Sequence, residues 1–407
     1  MSIESLGNNL IFIISQPRSG STLLQLMLSR NSEIATTSEP WIALHPIFAL
    51  HDGAVDPNYD ANQARNALLE FLKESGVDVR FYKQQIGIFL NNLYDQSRRH
   101  QGKKFFLDKT PRYYNVIEDL YDIFPNAKFI ILLRNPLAVL NSVLKTWVKD
   151  DDTLLLNNYE DLMIAPVKLV NFLKQNRPGC LRIQFEDLVS NPTKIIQDIC
   201  AFIGIEYSDD MIHYGTQQMP GWKFGDQTGI HQFSSPEITS SQKWQTEFNN
   251  PREKRLALSY LDSLDKKVIQ GMGYNYNKLR STISQSPEAS DEKAISWMSL
   301  TKVINIFSSI RDIRRMVLQI LLDTRDSDNE PNWPLVWQKH LQNLVQTIIV
   351  PKLEAYQLEY KKEMKKNDLL EKKIDQMQNS LSWRMTAPLR NSRILKQIMK
   401  NFKNNEY

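Results

Sequence analysis

The feature that most constrains this chain is an apolar run that passes through a loop of small residues into an apolar helix. Leu10–Ile14 are consecutive apolar residues, a pattern typical of a strand buried on both faces of a parallel sheet. Gln16–Thr22 form the loop, and the apolar face of the predicted helix begins at Leu23. This order predicts an anion site, because exposed N–H groups and the positive end of the helix dipole point into such a loop.

The side chains of the loop add hydrogen-bond donors. Arg18 has the fork geometry that suits phosphate or sulfate oxygens, and serine and threonine hydroxyls surround it. With Gly20 aligned to its second glycine, the ATP- and GTP-binding loop GxxxxGK[ST] has a lysine where Ser21 stands, so a nucleoside triphosphate is less favoured. On this motif alone, a βα turn capped by Ser19 or Ser21 is an equally good interpretation.

Length and composition define the class of protein. With 407 residues, of which 42% are hydrophobic, we expect a globular chain with one large α/β domain and an appendage, or two domains. No cluster of Lys and Arg interleaved with aromatic residues occurs in the first 280 residues, so nucleic acid is not predicted as a partner. Cys180 and Cys200 are too few for a disulfide framework or a zinc site. The chain shows neither a leader nor an apolar span, which predicts a cytoplasmic location.

A second unit repeats the strand and helix pattern with a cation at its turn. Lys128–Leu133 form another buried-strand run, and Arg134 ends it directly before Pro136, a residue suited to the first turn of a helix. Ser142 follows Arg134 by eight residues, about two helical turns. We therefore expect the arginine and the hydroxyl to converge on one phosphate at the sheet edge that receives the first loop.

Two more segments contribute candidate side chains. Glu39 follows Arg18 by 21 residues, enough for a helix and a return to the carboxyl edge, where open α/β sheets bind ligands. A short apolar strand from Phe105 runs into a charged turn that contains Lys109 and Arg112. For Glu39 a solvated loop position remains the alternative, and for both cations a solvated turn does.

The rest of the N-terminal region continues the same rhythm. Residues 60–102 are predicted to be helical, and 181–185 to be a strand followed by a helix. Residues 215–242 are rich in Gly, Ser, Thr and Gln, which is typical of a loop that covers a site. Lys243 follows this loop and is a candidate phosphate ligand, although a surface lysine is the default.

The C-terminal part has a different composition. We predict a main domain over 1–280, a polar linker over 281–293 and a helical extension over 294–350. Apolar residues at spacings of three and four predict a coiled coil over 351–382, through which the chain would bind itself or a partner, with a solvated single helix as the alternative. The tail over 383–407 is basic and amphipathic, a candidate for peripheral membrane contact.

Together these segments resemble the sulfotransferases that use 3′-phosphoadenosine 5′-phosphosulfate (PAPS), most closely the protein-tyrosine and bacterial branches. The resemblance covers roughly residues 8–276 and implies a P-loop-like parallel sheet flanked by helices. PRSGSTLL is similar to the loop that binds the 5′-phosphosulfate, and KFIILLRNPLAVLNSV to the 3′-phosphate motif. The PAPS-binding residues implied by the two motifs are Arg18, Ser19, Gly20, Ser21, Thr22, Arg134 and Ser142.

The resemblance also implies the reacting groups. Glu39 has the spacing of the catalytic base of the tyrosine sulfotransferases, and LDKTPRYY makes Lys109 the counterpart of an active-site lysine, which would act with Arg18. FEDL has Phe185 where the family usually has tyrosine, which puts a hydroxyl contact to the co-substrate in doubt. QKW makes Lys243 the counterpart of a late phosphate-binding lysine.

The resulting expectation is a sulfotransferase that moves a sulfuryl group from PAPS to an acceptor hydroxyl without a metal ion. A glycan, a tyrosine or a small alcohol would supply the hydroxyl. Two alternatives remain open at this point. One is an ATP-dependent phosphotransferase, and the other is a non-catalytic assembly protein that acts through its coiled coil.

Overall fold

We used a computed structural model of the chain, which describes residues 5–51, 61–149, 155, 157–216, 221–222, 234–248 and 251–284. The predicted helical extension, coiled coil and basic tail lie outside these residues and stay predictions. The last helix among the described residues ends at Ser284. No helix among the described residues combines the length and apolar character needed to cross a membrane.

The core of the fold is a five-stranded sheet in which all neighbouring strands are parallel. In chain order the strands are β1 (Leu10–Ser15), β2 (Ile34–Thr36), β3 (Phe105–Lys109), β4 (Lys128–Leu133) and β5 (Cys180–Gln184). In space they follow the order β2-β3-β1-β4-β5. This confirms the predicted α/β class with a central parallel sheet.

Fourteen α-helices follow in the described part of the chain. They are α1 (Ser21–Ser29), α2 (Leu44–Phe48), α3 (Ala61–Glu74), α4 (Val79–His100), α5 (Ile117–Ile123), α6 (Pro136–Val143), α7 (Ala165–Leu173), α8 (Phe185–Ser190), α9 (Pro192–Ile203), α10 (Thr239–Gln242), α11 (Trp244–Glu247), α12 (Pro251–Ser263), α13 (Lys266–Gly271) and α14 (Tyr276–Ser284). Short 3₁₀ or π turns occupy Pro111–Asn115, Leu144–Val148, Glu160–Ile164, Asp209–Met211 and Tyr214–Thr216.

Strand β1 lies at the centre and supplies a core on each face of the sheet. Its residues are at most 2% exposed, and successive side chains point to opposite faces. Phe12 and Ile14 belong to the cluster that α4, α5 and α7 cover, whereas Ile11 and Ile13 belong to the one that α1, α8 and α9 cover. Burial on both faces is the physical reason for the continuous apolar run in the sequence.

The strand order determines where a ligand can bind. The chain leaves β1 through α1 toward β2 and β3 on one side, and then crosses to β4 on the other side of β1. In open α/β sheets the crevice at such a switch point, outside the carboxyl ends of the strands, is the ligand site. The loops after β1, β3 and β4 therefore meet at one edge.

The structure differs from the sequence analysis at two strands. Asp108 and Lys109 do not lie in a solvated charged turn: they are the last residues of β3, with exposed fractions of 1% and 0%. Hydrogen bonds to Asp108 and an ion pair of Lys109, described below, compensate for the burial of these two charged groups. Strand β2 was not predicted from the sequence, because its three residues are too few to show a period.

Candidate active site at the carboxyl edge of the sheet

The loop after β1 brings its backbone to the start of α1. Gly20 is the N-cap residue, with φ of 89°, and the N-cap position makes no side-chain capping hydrogen bond. The alternative of a turn capped by Ser19 or Ser21 is therefore wrong. The first N–H groups of α1 have no intrahelical partner, and Ser19 Oγ is buried without a hydrogen-bond partner among the described residues. Such a turn can accept an anion.

Phe185, the first residue of α8, covers Gly20. A Cβ atom at position 20 would lie 2.3 Å from Cδ2 and Cε2 of the Phe185 ring. Only glycine allows this close approach, and the positive φ favours glycine as well. Phe185, which stands where the sulfotransferases usually have tyrosine, thus packs against the loop backbone. It also lines the cavity described below.

Arg18 is held by the helix that follows β4. Its Nε donates to Ser142 Oγ at 3.0 Å and its Nη2 to Thr146 Oγ1 at 3.4 Å, while its guanidinium lies 5.4 Å from the centre of the Trp147 ring. Thr146 and Trp147 belong to the π-helical turn that continues α6. π-Helical turns are frequent at functional sites. The predicted partner of Ser142 was a phosphate shared with Arg134, but in this structure the hydroxyl accepts from Arg18.

Arg134 lies at the tip of β4 and connects two segments. Its Nη1 donates to the carbonyl oxygen of Arg18 at 2.9 Å, and its Nη2 donates to that of Ser240 at 2.6 Å. Its guanidinium carbon lies 4.2 Å from the centre of the Phe185 ring, a cation–π distance. Arg134 therefore links the β1 loop, α8 and the segment around α10.

Lys109 and Glu39 form a buried ion pair. Lys109 Nζ lies 2.5 Å from Glu39 Oε1 and donates to Thr22 Oγ1 at 3.1 Å. The lysine side chain is fully buried and the glutamate side chain is 11% exposed. Removing one partner of such a pair typically costs about 3–5 kcal/mol, because the other charge is left without compensation. Glu39 is thus not the solvated loop residue that its sequence context also allowed.

The other oxygen of Glu39 and the neighbouring cation have partners as well. Trp41 Nε1 donates to Glu39 Oε2 at 3.1 Å. Arg112, a candidate anion ligand from the sequence, instead pairs with Asp161, with Nη2 and Oδ2 2.6 Å apart. Neither Trp41 nor Asp161 was predicted as a site residue, since each acts through a contact that local sequence does not encode.

These groups surround one cavity of about 570 Å³. Nine of the predicted site residues line it: Arg18, Gly20, Ser21, Thr22, Glu39, Arg134, Ser142, Phe185 and Lys243. Lys243 is exposed at the end of α10. Ser19 and Lys109 are fully buried and are not among the described lining residues. Trp41, Thr146, Trp147 and Glu247 line the cavity too, and no sequence signal had indicated them.

Asp108 is a buried acid next to the ion pair. It accepts hydrogen bonds from the hydroxyls of Tyr94 at 2.6 Å, Thr110 at 2.8 Å and Tyr113 at 3.0 Å. Burial nevertheless raises the pKa of Asp108 from 3.8 to about 6, partly offset by these hydrogen bonds. Its protonated form is therefore favoured in the folded protein relative to the unfolded chain.

This shift predicts a pH dependence of stability. A raised pKa in the folded state contributes stability that is present below the unfolded pKa of about 4 and is lost as the pH rises through about 6. We expect the free energy of unfolding of wild type, relative to Asp108→Asn, to fall by about 2–3 kcal/mol between pH 4 and pH 7. Urea unfolding of both proteins across this pH range measures this difference in the free energy of unfolding. Parallel pH profiles of the two proteins would contradict a raised pKa of Asp108.

Comparisons with known proteins give matches to sulfotransferases. Residues 10–209 match the model of the sulfotransferase family. The nodulation protein NoeE of Sinorhizobium fredii is 36% identical over 140 residues, which are 33% of this chain and 31% of that protein. Protein-tyrosine sulfotransferase 2 of Gallus gallus is 26% identical over 212 residues, which are 50% of this chain and 53% of that protein.

A solved structure also matches the chain. The sulfotransferase domain from the curacin biosynthetic pathway aligns with 66% of this chain and 99% of its own length, at 18% identity and a TM-score of 0.44. The matched residues 10–209 contain the β1 loop, the Lys109–Glu39 pair and Arg134. Over this region, which holds the candidate site, the chain is similar to the sulfotransferase family.

Proposed function

We propose that the chain is an enzyme that transfers a sulfuryl group from PAPS to the hydroxyl group of an acceptor. The observation that carries the proposal is the convergence of an anion-accepting helix start, Arg18, Arg134 and Glu39 at one cavity, with buried Lys109 paired to Glu39. The match of residues 10–209 to the sulfotransferase family supports the reaction type. The chain spans only 31% and 53% of the two relatives described above, so the identity of the acceptor rests on the cavity.

The residues present fit a donor that carries two separate anionic groups. The β1 loop offers the N–H groups of the first turn of α1 and the buried hydroxyl of Ser19 to the 5′-phosphosulfate. Arg134 and Ser142 would bind the 3′-phosphate, which distinguishes PAPS from ATP. Ser21 stands where an ATP-binding loop has its lysine.

The chain's own groups suit an in-line displacement. As the acceptor oxygen bonds to sulfur and the bond between sulfur and the phosphate oxygen breaks, Glu39 would take the hydroxyl proton. Lys109 and Arg18 would stabilise the negative charge on the transferring group and the leaving phosphate. Fixed cations in a partly buried cavity are effective here, because they need little reorganisation during the reaction.

For the acceptor we propose a hydroxyl-bearing glycan or a tyrosine side chain. Trp41 and Trp147 both line the cavity, and aromatic rings provide rigid apolar surface for a ring-shaped acceptor. The tyrosine sulfotransferases among the relatives support the second choice by their name. Release of adenosine 3′,5′-bisphosphate from PAPS, measured with N-acetylglucosamine oligomers and with N-acetyltyrosine amide, separates the two classes.

Calorimetric titration tests the donor directly. In buffer with EDTA we expect the wild type to bind adenosine 3′,5′-bisphosphate at least tenfold more tightly than ADP. Arg134→Ala should weaken the bisphosphate about 10- to 100-fold, the range expected for loss of charge-assisted hydrogen bonds. Its effect on ADP should be much smaller, because ADP lacks the 3′-phosphate.

A matched control uses another arginine of the same domain. Arg99 is an exposed residue of α4 that lies 3.6 Å from Asp95 and does not line the cavity within the described chain. Arg99→Ala should bind the bisphosphate like wild type. Equal affinity of wild type for the bisphosphate and ADP, or tighter binding of ATP with magnesium, would instead support a phosphotransferase.

A further inference from the structure

Trp41 makes a contact that holds one oxygen of the proposed base. Its indole N–H donates to Glu39 Oε2 at 3.1 Å, whereas Glu39 Oε1 is the oxygen next to Lys109. Each carboxylate oxygen has two acceptor sites. Both oxygens are therefore oriented by the protein, and each retains the capacity to accept one more proton donor.

Trp41 is itself supported by a second ion pair, whose carboxylate is buried. The guanidinium carbon of Arg112 lies 5.7 Å from the centre of the indole ring. Arg112 Nε and Nη2 both donate to the Asp161 carboxylate, which also accepts from the hydroxyl of Tyr114 at 2.8 Å. Asp161 is 2% exposed. The indole thus rests on a cation that a buried carboxylate keeps in place.

The backbone around Trp41 is constrained as well. Trp41 has φ of 56°, in the left-handed region that is unfavourable for residues other than glycine. Two residues later, Ala43 N–H donates to the hydroxyl of Tyr113 at 3.2 Å, and the same hydroxyl donates to Asp108. A strained conformation persists only where its surroundings impose it, and such residues are concentrated at functional sites.

We propose that Trp41 is a positioning residue that fixes the Glu39 carboxylate for proton transfer. This inference rests on the proposed function, in which Glu39 is the base. Without the indole N–H, the carboxylate keeps one oxygen at Lys109 but is free to turn the other away from the acceptor. Trp41 suits this role because an indole N–H donates a hydrogen bond but does not titrate in the physiological range, so it does not compete with Glu39 for the proton.

The first part of the test measures the contact without any ligand. The variants are Trp41→Phe and a protein that carries 3-benzothienylalanine at position 41, which replaces only the N–H by sulfur. Each is made in wild type and in a Glu39→Ala background for a double-mutant cycle in urea unfolding. Loss of the N–H should lower the folding equilibrium constant about tenfold in wild type, and less than twofold when Glu39 is absent.

The second part measures the consequence for the reaction. With PAPS and 4-nitrophenol as probes, both variants should lower kcat about 10- to 100-fold, the cost of a misplaced catalytic group. The KM for PAPS and the affinity for adenosine 3′,5′-bisphosphate should stay within threefold. Trp147→Phe is the matched control for the unfolding cycle only, because Trp147 lines the same cavity but contacts Arg18. It should show no coupling to Glu39→Ala.

The outcomes separate this inference from the function on which it rests. Absence of coupling between Trp41 and Glu39, or an unchanged kcat in the benzothienylalanine protein, would overturn the positioning role while leaving the sulfotransferase proposal intact. A wild type that neither binds the bisphosphate nor turns over PAPS would overturn the proposed function, and the positioning role with it. Equal coupling of Trp147→Phe to Glu39→Ala in urea unfolding would also count against a specific role for Trp41.

Discussion

Glu39→Gln is expected to lower kcat by about 10²- to 10⁴-fold, the usual contribution of a general base. Glutamine keeps the shape of the side chain and an oxygen for Lys109 Nζ, but it does not accept the hydroxyl proton. Binding of adenosine 3′,5′-bisphosphate should change little, because in the proposed reaction Glu39 acts on the acceptor hydroxyl, and its oxygens contact Lys109 and Trp41. Release of the bisphosphate from PAPS, followed with saturating acceptor, measures the effect.

The control for this variant is another glutamate of the same domain. Glu33 precedes β2 at the amino edge of the sheet, where its Oε2 lies 3.1 Å from Lys104. Glu33→Gln should leave turnover at the wild-type level. Thermal unfolding of the Glu39→Gln protein should accompany the assay, because the buried lysine loses its counter-charge. A folded Glu39→Gln protein with wild-type kcat would rule out Glu39 as the base.

The second large effect is expected for Gly20→Ala, which should both destabilise the protein and abolish binding of the bisphosphate. The new Cβ would lie 2.3 Å from two atoms of the buried Phe185 ring, and φ of 89° is unfavourable for alanine. The left-handed backbone conformation of alanine lowers the free energy of unfolding by about 1–2 kcal/mol, and the overpacking against Phe185 by another 1–3 kcal/mol. Relief of the clash would move the loop that presents its N–H groups to the ligand. Urea unfolding and calorimetry report the two effects.

Gly204 is a matched control for the cost of placing alanine at a positive φ. It has φ of 86°, close to that of Gly20, but a Cβ there would meet nothing within 4 Å. Gly204→Ala should therefore cost only about 1–2 kcal/mol and leave affinity for the bisphosphate unchanged. If the two alanine variants were equally stable and both bound the ligand, close contact between Phe185 and the loop would not be what preserves the site.

The central part of the sheet was predictable because its local pattern is strong. The apolar runs of β1 and β4 are long enough to identify buried strands, and Pro136 and the small residues of the first loop indicate where helices begin. Strand β2 has only three residues and forms through pairing with β3. That pairing depends on residues far away in the sequence, so no local period could reveal it.

The site was predictable in its residue types but not in its contacts. Arg18, Glu39, Lys109 and Arg134 were identified by motif and spacing. Their pairings join residues that are 70 or more positions apart, and spacing does not encode them. Asp108 shows the same limit: its sequence suggests a solvated turn, whereas three hydroxyl groups allow it to be buried.

The position of β1 between β3 and β4 has a consequence for the order of folding. Ile13 pairs with Lys109 on one side and with Ile130 on the other, so the anion loop, the lysine and Arg134 come together only when both pairings exist. These contacts span about 100 residues, and closing such loops is slow compared with local helix formation. A growing chain therefore cannot possess a complete site before β4 has been synthesised, and catalytic competence would arise together with closure of the sheet.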